Sequence, residues 1–418
     1  MQQLSKDAIL EGAARSLCPG RIAAFRALST VPVMGRREGH YFWDLDGRRL
    51  FDVHINGGTF NLGHRHPELV TTLREALETY DIGNHHLPSA ERVQLAEALA
   101  ACTPGDLRFS VFTASGGEAV DVAIKTARRA TGRRRIVSLV GSFHGHTGLS
   151  QAAGDVENAA FFASDEPGEF VQVPWGDLDA VREALSSGDV AAVLLETIPA
   201  TSGFPMPPPG YLSGIKSLCE EHGSLYLADE VQTGLGRTGW LWAVEGHGVE
   251  PDVLITGKGL SGGLYPMAAA VLSERVAGWL EERGWGHVST FGGSELGCCV
   301  ARKVLEIVQR PGVLENARDC SEILGAGLAE IQERRPFLKE VRRSGLVIGL
   351  RFDHPVGGML MTAAGFESGL WAFFAGFDRR VLQFKPDLLV DPEACGELLG
   401  LLDDAIDRCS RSLGREAA

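Results

Sequence analysis

PDVLITGKGLSGG, from Pro251 to Gly263, runs as an apolar segment up to Thr256 and then sets a single lysine, Lys258, between two glycines. Two readings compete for it. The run Gly257 to Gly262 satisfies G-x-G-x-x-G, so it could cradle the pyrophosphate of a dinucleotide; alternatively Lys258 is itself the reactive group, and the glycines clear space for a cofactor bound to it. A dinucleotide loop needs its third glycine to open a helix. Here Gly262 leads through Gly263, Leu264, Tyr265 and Pro266 into another apolar strand, which speaks against that reading.

Outward from this stretch, between residues 107 and 272, the short runs LRFSVF, RIVSLV, VAAVLLE, GSLYLAD, DVLITG and PMAAAVLS read as strands. Their hydrophobicity is continuous rather than alternating, so both faces are covered, as in an α/β fold with a mostly parallel sheet. Among them EAVDVAIKTARRATG places Ala119, Val120, Ala123, Ile124 and Ala127 on one helical face, with Asp121 and Lys125 four apart on the other. After about residue 310, longer helices such as LENARDCSEILGAGLAEIQERR alternate with the strands LVIGLRF and VLQF, a second, smaller α+β domain. Near the start, EGHYFWDLDGRRLFDV reads as a hairpin turning at Asp46-Gly47. The expected organisation is an N-terminal segment 1–55 packing with the small domain, a large domain 56–310 and a C-terminal small domain 311–418.

Composition narrows the partners. A formal charge of −14, from 54 acidic and 40 basic residues, repels a phosphate backbone and speaks against nucleic acid. The arginines of ARRATGRRR (Arg128, Arg129, Arg133, Arg134, Arg135) suggest an anion patch, but they surround the end of a helix at Gly132, where cations suit the dipole. Eight cysteines show no C-x-x-C and no paired Cys/His spacing, so reduced structural thiols are expected and no metal. No apolar run approaches the roughly 18 residues of a membrane span, and the N-terminus has no signal-peptide core. The expected compartment is the cytoplasm.

Ligands of open α/β sheets bind outside the carboxyl ends of the strands, and three such ends are chemically loaded. The first, Thr113-Ala114-Ser115-Gly116-Gly117-Glu118, opens a helix whose free N–H groups suit a phosphate, although Ser-Gly-Gly also makes an ordinary cap. The second ends in Asp229 and Glu230; a lone carboxylate there is more often a helix cap. The third is Lys258, 29 residues after Asp229, about one strand-crossover-strand unit of roughly 30 residues. A cofactor with a phosphate, a basic ring nitrogen and an aldehyde uses all three: pyridoxal 5′-phosphate, with Lys258 as its imine-forming amine and Asp229 keeping the ring nitrogen protonated.

At this point the chain resembles a known family, the class III, fold type I pyridoxal-phosphate aminotransferases. The likeness runs from EGHYFWDLDGRRLFDV and NLGHRHPELV through SGGEA, GSFHGHT, PPPGYL, LADEVQTGLGRTG and TGKGLSGG to STFGGSELG. It implies a catalytic pair, Lys258 and Asp229, and a cofactor site of Ser115, Gly116, Gly117, Phe143, His144, Glu196, Val231 and Gln232. Phe143 and Val231 would take the two faces of the ring, Gln232 the ring hydroxyl, and Thr290 the phosphate of a neighbouring subunit in a homodimer. Amino transfer between an amine or amino acid and an oxo acid or aldehyde, in two half-reactions, is the implied activity. On the same fold an aminomutase or amino-acid racemase is the alternative; outside it stand a dinucleotide-dependent oxidoreductase and a catalytically silent scaffold.

Departures from the family bear on substrate. Members that use 2-oxoglutarate or an ω-amino acid often have an arginine after FHG, a Gly-Glu pair after the strand glutamate and an arginine three residues before the late proline. This chain has His146, Ala200-Thr201 and Gln383 there. All three remove charge from carboxylate handling, with Lys385, Arg343 and Arg351 as candidate replacements. Gly117 also stands where a hydroxyl residue is common, at a cost on the order of 1 kcal/mol for one phosphate hydrogen bond. His85 and His86, in a segment that in the family approaches the neighbouring site, read as loop histidines.

Overall fold

The computed structural model describes residues 4–28 and 31–414; the outermost parts of the expected terminal segments, 1–3 and 415–418, lie outside the described residues. At its centre is a seven-stranded sheet. In spatial order its strands are Leu107–Thr113, Ala268–Ser273, Val253–Thr256, Leu225–Asp229, Val190–Glu196, Arg135–Leu139 and Phe170–Val173. The last five pair in parallel, and Ala268–Ser273 runs antiparallel to both its neighbours. Six strands coincide with the apolar runs of the sequence. The seventh, Phe170–Val173, is an edge strand of mostly half-buried residues, and Gln172 interrupts its run, so a criterion of two covered faces passes it over.

The helix Gly116–Thr131 buries Ala119, Val120, Ala123, Ile124 and Ala127 as their spacing predicts. Its polar face departs from expectation. Asp121 accepts the Ser150 N–H at 2.8 Å, and the Lys125 amine lies 3.1 Å from His287 Nδ1, so no i,i+4 ion pair forms. The helix ends at Gly132 with φ +68°, a left-handed cap suited to glycine. All five surrounding arginines have partners within the chain. Arg128 and Arg134 share Glu169, Arg129 meets Glu282 and Arg135 meets Asp189. Arg133 donates to the carbonyls of Val190, His222 and Gly223. No anion patch remains.

The N-terminal hairpin forms as expected: Tyr41–Asp44 pairs with Arg49–Asp52, and Gly47 turns it at φ +82°. Its second strand also pairs in parallel with Leu370–Trp371, which ties the start of the chain to its end. A further sheet, in the order Leu338–Ser344, Val347–Phe352, Val381–Phe384 and Phe373–Phe374, packs with the helices Val313–Arg334 and Gly357–Ser368, and the helix Pro392–Ser412 packs on both of these helices. Leu99, Val193 and Leu254 of the large sheet region share one buried cluster with Leu324, Leu350 and Leu398. That continuity brings the end of Val381–Phe384 to the cleft: Lys385 N donates to Val53 O at 2.7 Å, and Leu388 N to Asn61 O at 2.8 Å. No disulfide joins any of the eight cysteines among the described residues. Among the described residues there is no metal-holding cluster and no helix long and apolar enough to cross a membrane.

Candidate active site

The register of the parallel strands sets Glu196 beside Asp229 and Asp229 beside Ile255, three residues before Lys258. Thr113, opposite Ala268, leads into the helix cap at Ser115. One cleft therefore collects Gly116, Gly117, Phe143, His144 and Gly145 with Glu196, Asp229, Val231, Gln232 and Lys258. The sequence assigned all of these except Gly145.

At the helix start Ser-Gly-Gly makes the ordinary cap and also leaves backbone donors at the cleft. Ser115 Oγ accepts the Glu118 N–H at 3.3 Å, and Glu118 in turn accepts the Ala114 N–H at 2.9 Å. The hydroxyl is thus a cap, while the N–H groups of Gly116 and Gly117, without partners inside the helix, border the cleft. Gly145 is required by packing, since a Cβ on it would lie 2.6 Å from the Gly117 Cα. A Cβ on Gly117 itself would meet Thr147 Oγ1 at 3.2 Å and Ser150 Oγ at 3.4 Å, so two hydroxyls already stand where the family's hydroxyl residue would reach.

Lys258 has φ +42°, a left-handed conformation that costs a non-glycine residue on the order of 1 kcal/mol. Its neighbours hold it there. A Cβ at Gly257 would lie 3.2 Å from Ala268 Cβ and 3.7 Å from Gly116 Cα, and one at Gly259 would lie 3.0 Å from Asn61 Cβ. The flanking glycines therefore make room for protein. This corrects the reading that they clear space for a cofactor: the space comes from the cleft, and the glycines let the backbone turn the lysine into it. Burial lowers the Lys258 amine below its ordinary value, against the pull of Asp229 and Glu196. The rival phosphate-loop reading fails on the same segment. Gly262 packs against Leu69, Val300 and Val304 and opens no helix of the required kind, because the chain turns into Ala268–Ser273.

Asp229 is buried, with Oδ1 accepting the Val231 N–H at 3.1 Å and Oδ2 2.7 Å from His144 Nδ1. The other ring nitrogen, His144 Nε2, is buried and has no partner in the protein. Glu230, the next residue, points away from the cleft as strand alternation requires. It accepts from Thr197 and Thr233 hydroxyls and from the Ala243 and Val244 N–H groups, a wholly structural role.

Glu196 accepts the N–H of Phe143 at 2.9 Å and of Ala200 at 3.2 Å, so it braces the loop that carries Phe143. Burial, with the Asp229 charge adding to it, pushes its carboxyl up to about 7, and His144 partly opposes the shift. The native state therefore holds this proton more tightly than the unfolded chain. The stabilisation is complete below the unfolded value near 4.5 and is lost as pH rises through about 7. In the cofactor-free protein, Glu196→Gln should remove a decline in unfolding free energy of about 3 kcal/mol between pH 4.5 and 8. Denaturant titrations across that range check it; parallel pH profiles for the two proteins would contradict it.

The sequence did not reveal the loop facing the lysine. Asp52 Oδ1 accepts the N–H groups of His54 and Ile55, and Ile55, Asn56, Gly57 and Gly58 all follow with positive φ. This brings Gly57 so close that its Cβ would lie 3.6 Å from both Lys258 Cε and Gln232 Oε1. Asn-Gly-Gly hinted at a turn, but nothing predicts a left-handed isoleucine. Of the three candidate cations, Arg343 is held by Ser321 and Glu322, and Arg351 lies 3.8 Å from Glu340. Only Lys385 reaches the site, fully buried, with its amine 3.0 Å from Gln232 Oε1 and 2.5 Å from Gln383 Oε1.

Other predicted residues lie elsewhere. Thr290 is exposed and does not line the cleft of its own chain. His146 is exposed, 3.2 Å from Asp155, and Thr201 accepts the Phe377 N–H through its carbonyl. His85 bonds to the Gly83 carbonyl and His86 packs on Trp285; neither lines the cleft.

Similarity to known proteins identifies the family of the chain. The family model "Aminotransferase class-III" matches residues 24–406. An uncharacterized aminotransferase of Archaeoglobus fulgidus is 48% identical over 385 residues, covering 92% of this chain and 90% of that protein. Among solved structures, N-acetylornithine aminotransferase from Stenotrophomonas maltophilia superposes with a TM-score of 0.79 at 29% identity, over 94% of this chain and 100% of the other. A transaminase from the marine bacterium Virgibacillus gives 0.90 at 23% identity, over 97% and 100% of the two chains, which speaks to fold alone. Neither the oxidoreductase nor the racemase and mutase alternatives gains support, and the chain belongs to the class III aminotransferases, transaminases that move an amino group between an amine donor and an oxo acceptor.

Proposed function

We propose that the cleft holds pyridoxal 5′-phosphate on Lys258 and that this chain's own residues divide its handling among them. The observation that carries the reading is the meeting, at strand ends of one sheet, of a half-buried amine held in a left-handed turn, a buried carboxylate and an open helix N-terminus. The donor set fits the group: N–H donors for a phosphate, an acceptor for a ring N–H, and an amine for an aldehyde. When bound, the cofactor supplies an electron sink for negative charge developing on the substrate carbon. Asp229, already fixed by Val231 and His144, accepts the ring N–H and keeps that proton in place. Phe143 and Val231, which both line the cleft, would take the two faces of the ring. Once free, the Lys258 amine moves the proton from the substrate carbon, and its lowered basicity keeps a larger share of it unprotonated for that work.

Thr290 fits a site completed by a second copy. It lies between Trp285, Val288 and Phe291, which are 66%, 49% and 51% exposed, a surface that a homodimer would cover. The boundaries 1–55, 56–310 and 311–418 serve as the working domain division. Eight cysteines outside any disulfide suit a reducing compartment such as the cytoplasm.

For the substrate, the supporting observation is that no arginine lines the cleft among the described residues, and Gln383 occupies the family's late arginine position as a buried neutral amide. An arginine fork lost from a buried carboxylate pair costs about 3 to 5 kcal/mol, several hundredfold or more in affinity. We therefore expect a primary amine, or an amine on a larger metabolite, as one substrate, and poor use of 2-oxoglutarate. The test loads the enzyme in its amino form, adds oxo acids and aldehydes singly, and follows the return of visible absorbance. Fast recovery with 2-oxoglutarate at low concentration overturns the substrate reading and leaves the aminotransferase assignment standing.

A further inference from the structure

A fully buried lysine beside Lys258 needs an explanation that the reaction does not supply. Lys385 has no exposed surface, directly follows the strand Val381–Phe384, and is pinned through its backbone N–H to Val53 O. It does not line the cleft, so it is not placed to touch a substrate. Its amine meets two side-chain amides, Gln232 Oε1 at 3.0 Å and Gln383 Oε1 at 2.5 Å. A lysine has only donors when charged and two even when neutral, so both amide oxygens face it and both amide NH2 groups face elsewhere. Gln232 lines the cleft. Without such an anchor, a glutamine amide can present either its oxygen or its nitrogen to a ligand.

We propose that Lys385 is a positioning residue that locks the Gln232 amide with its NH2 toward the cleft, so that Gln232 donates to the ring oxygen of the cofactor. The inference rests on the assignment of Gln232 to that oxygen. The choice of direction matters, because a ring oxygen that carries negative charge needs a donor, and an unlocked carbonyl turned toward it would repel it. The same amine holds Gln383, so one residue fixes the amide beside the cofactor and the amide at the position where relatives carry arginine. The residues around the Lys385 amine are those two glutamines, the Phe204 ring 5.4 Å away, the His54 ring, and the charges of Lys258, Arg237 and Asp52, which bear on it from three other segments.

The test is a pH titration of the visible absorbance of the holoenzyme, together with cofactor dissociation from the same proteins. Donation to the ring oxygen favours the form that has lost the bridging proton, so its removal raises the apparent pKa. Gln232→Leu is expected to raise it by about one unit, and Lys385→Met by a similar amount, with weaker cofactor retention in both. In the double variant the two shifts should coincide rather than add. Three results overturn the proposal. An unshifted Lys385→Met does so directly. A Lys385→Met shift that persists in full in the Gln232→Leu background means that Lys385 acts by charge alone. An unshifted Gln232→Leu removes the Gln232 assignment itself and the proposal with it. Should Lys385→Met fail to fold, Lys385→Gln, which keeps an amide donor on a shorter arm, is titrated instead; it should shift in the same direction by less, and an unchanged pKa again overturns the proposal.

Discussion

Lys258→Ala is expected to lower steady transamination by at least about 10⁴-fold, because one substitution removes both the covalent anchor of the cofactor and the base that moves the substrate proton. The protein should fold normally. Alanine relieves crowding at a backbone position already held by Gly257, Gly259 and their neighbours, although it keeps the unfavourable φ of +42°. It should also still take up pyridoxal 5′-phosphate non-covalently, since the helix N-terminus at Gly116 and the carboxylate of Asp229 are untouched. Single-turnover assays and cofactor titration check both halves. Near-normal turnover in Lys258→Ala would remove the lysine from the mechanism.

Asp229→Ala is expected to reduce kcat by roughly 10³-fold, the scale of losing one fixed electrostatic partner of a developing charge in a dry site. Two causes add. The ring nitrogen loses the acceptor that keeps it protonated, and His144 Nδ1, 2.7 Å from Asp229, loses its partner while Nε2 is already without one. Asp229→Glu should retain part of the activity, because the carboxylate remains but its contacts with Val231 and His144 shift. Steady-state kinetics of the two variants, read for kcat apart from KM, check this; an Asp229→Ala enzyme with unchanged kcat would contradict the role.

What the sequence shows of this site follows from where each residue stands. Lys258, Asp229 and Ser115-Gly116-Gly117 each follow an apolar run, so their arrival at one edge of a sheet could be read from strand length and crossover spacing. Phe143, Val231 and Gln232 border the same ends and entered through the family likeness. Lys385 and the loop from His54 to Gly58 come up against the cleft residues Gln232 and Lys258 by another route, the parallel pairing of Arg49–Asp52 with Leu370–Trp371 and the bond from Lys385 to Val53. No periodicity encodes a contact between residues more than 300 positions apart. The failures inside single elements are also instructive. Asp121 and Lys125 had the right spacing to pair, but an N–H from Ser150 and the His287 ring took them instead. Phe170–Val173 was missed because an edge strand is only half covered.

The most direct test of the central claim reduces the holoenzyme with borohydride, digests it and maps the pyridoxyl group. Two lysines of lowered basicity stand in this region, and only Lys258 opens into the cleft; the buried Lys385 is held by Gln232 and Gln383. The predicted result is a single labelled peptide carrying the modification on Lys258. A label on Lys385, or on any other lysine, would contradict the account.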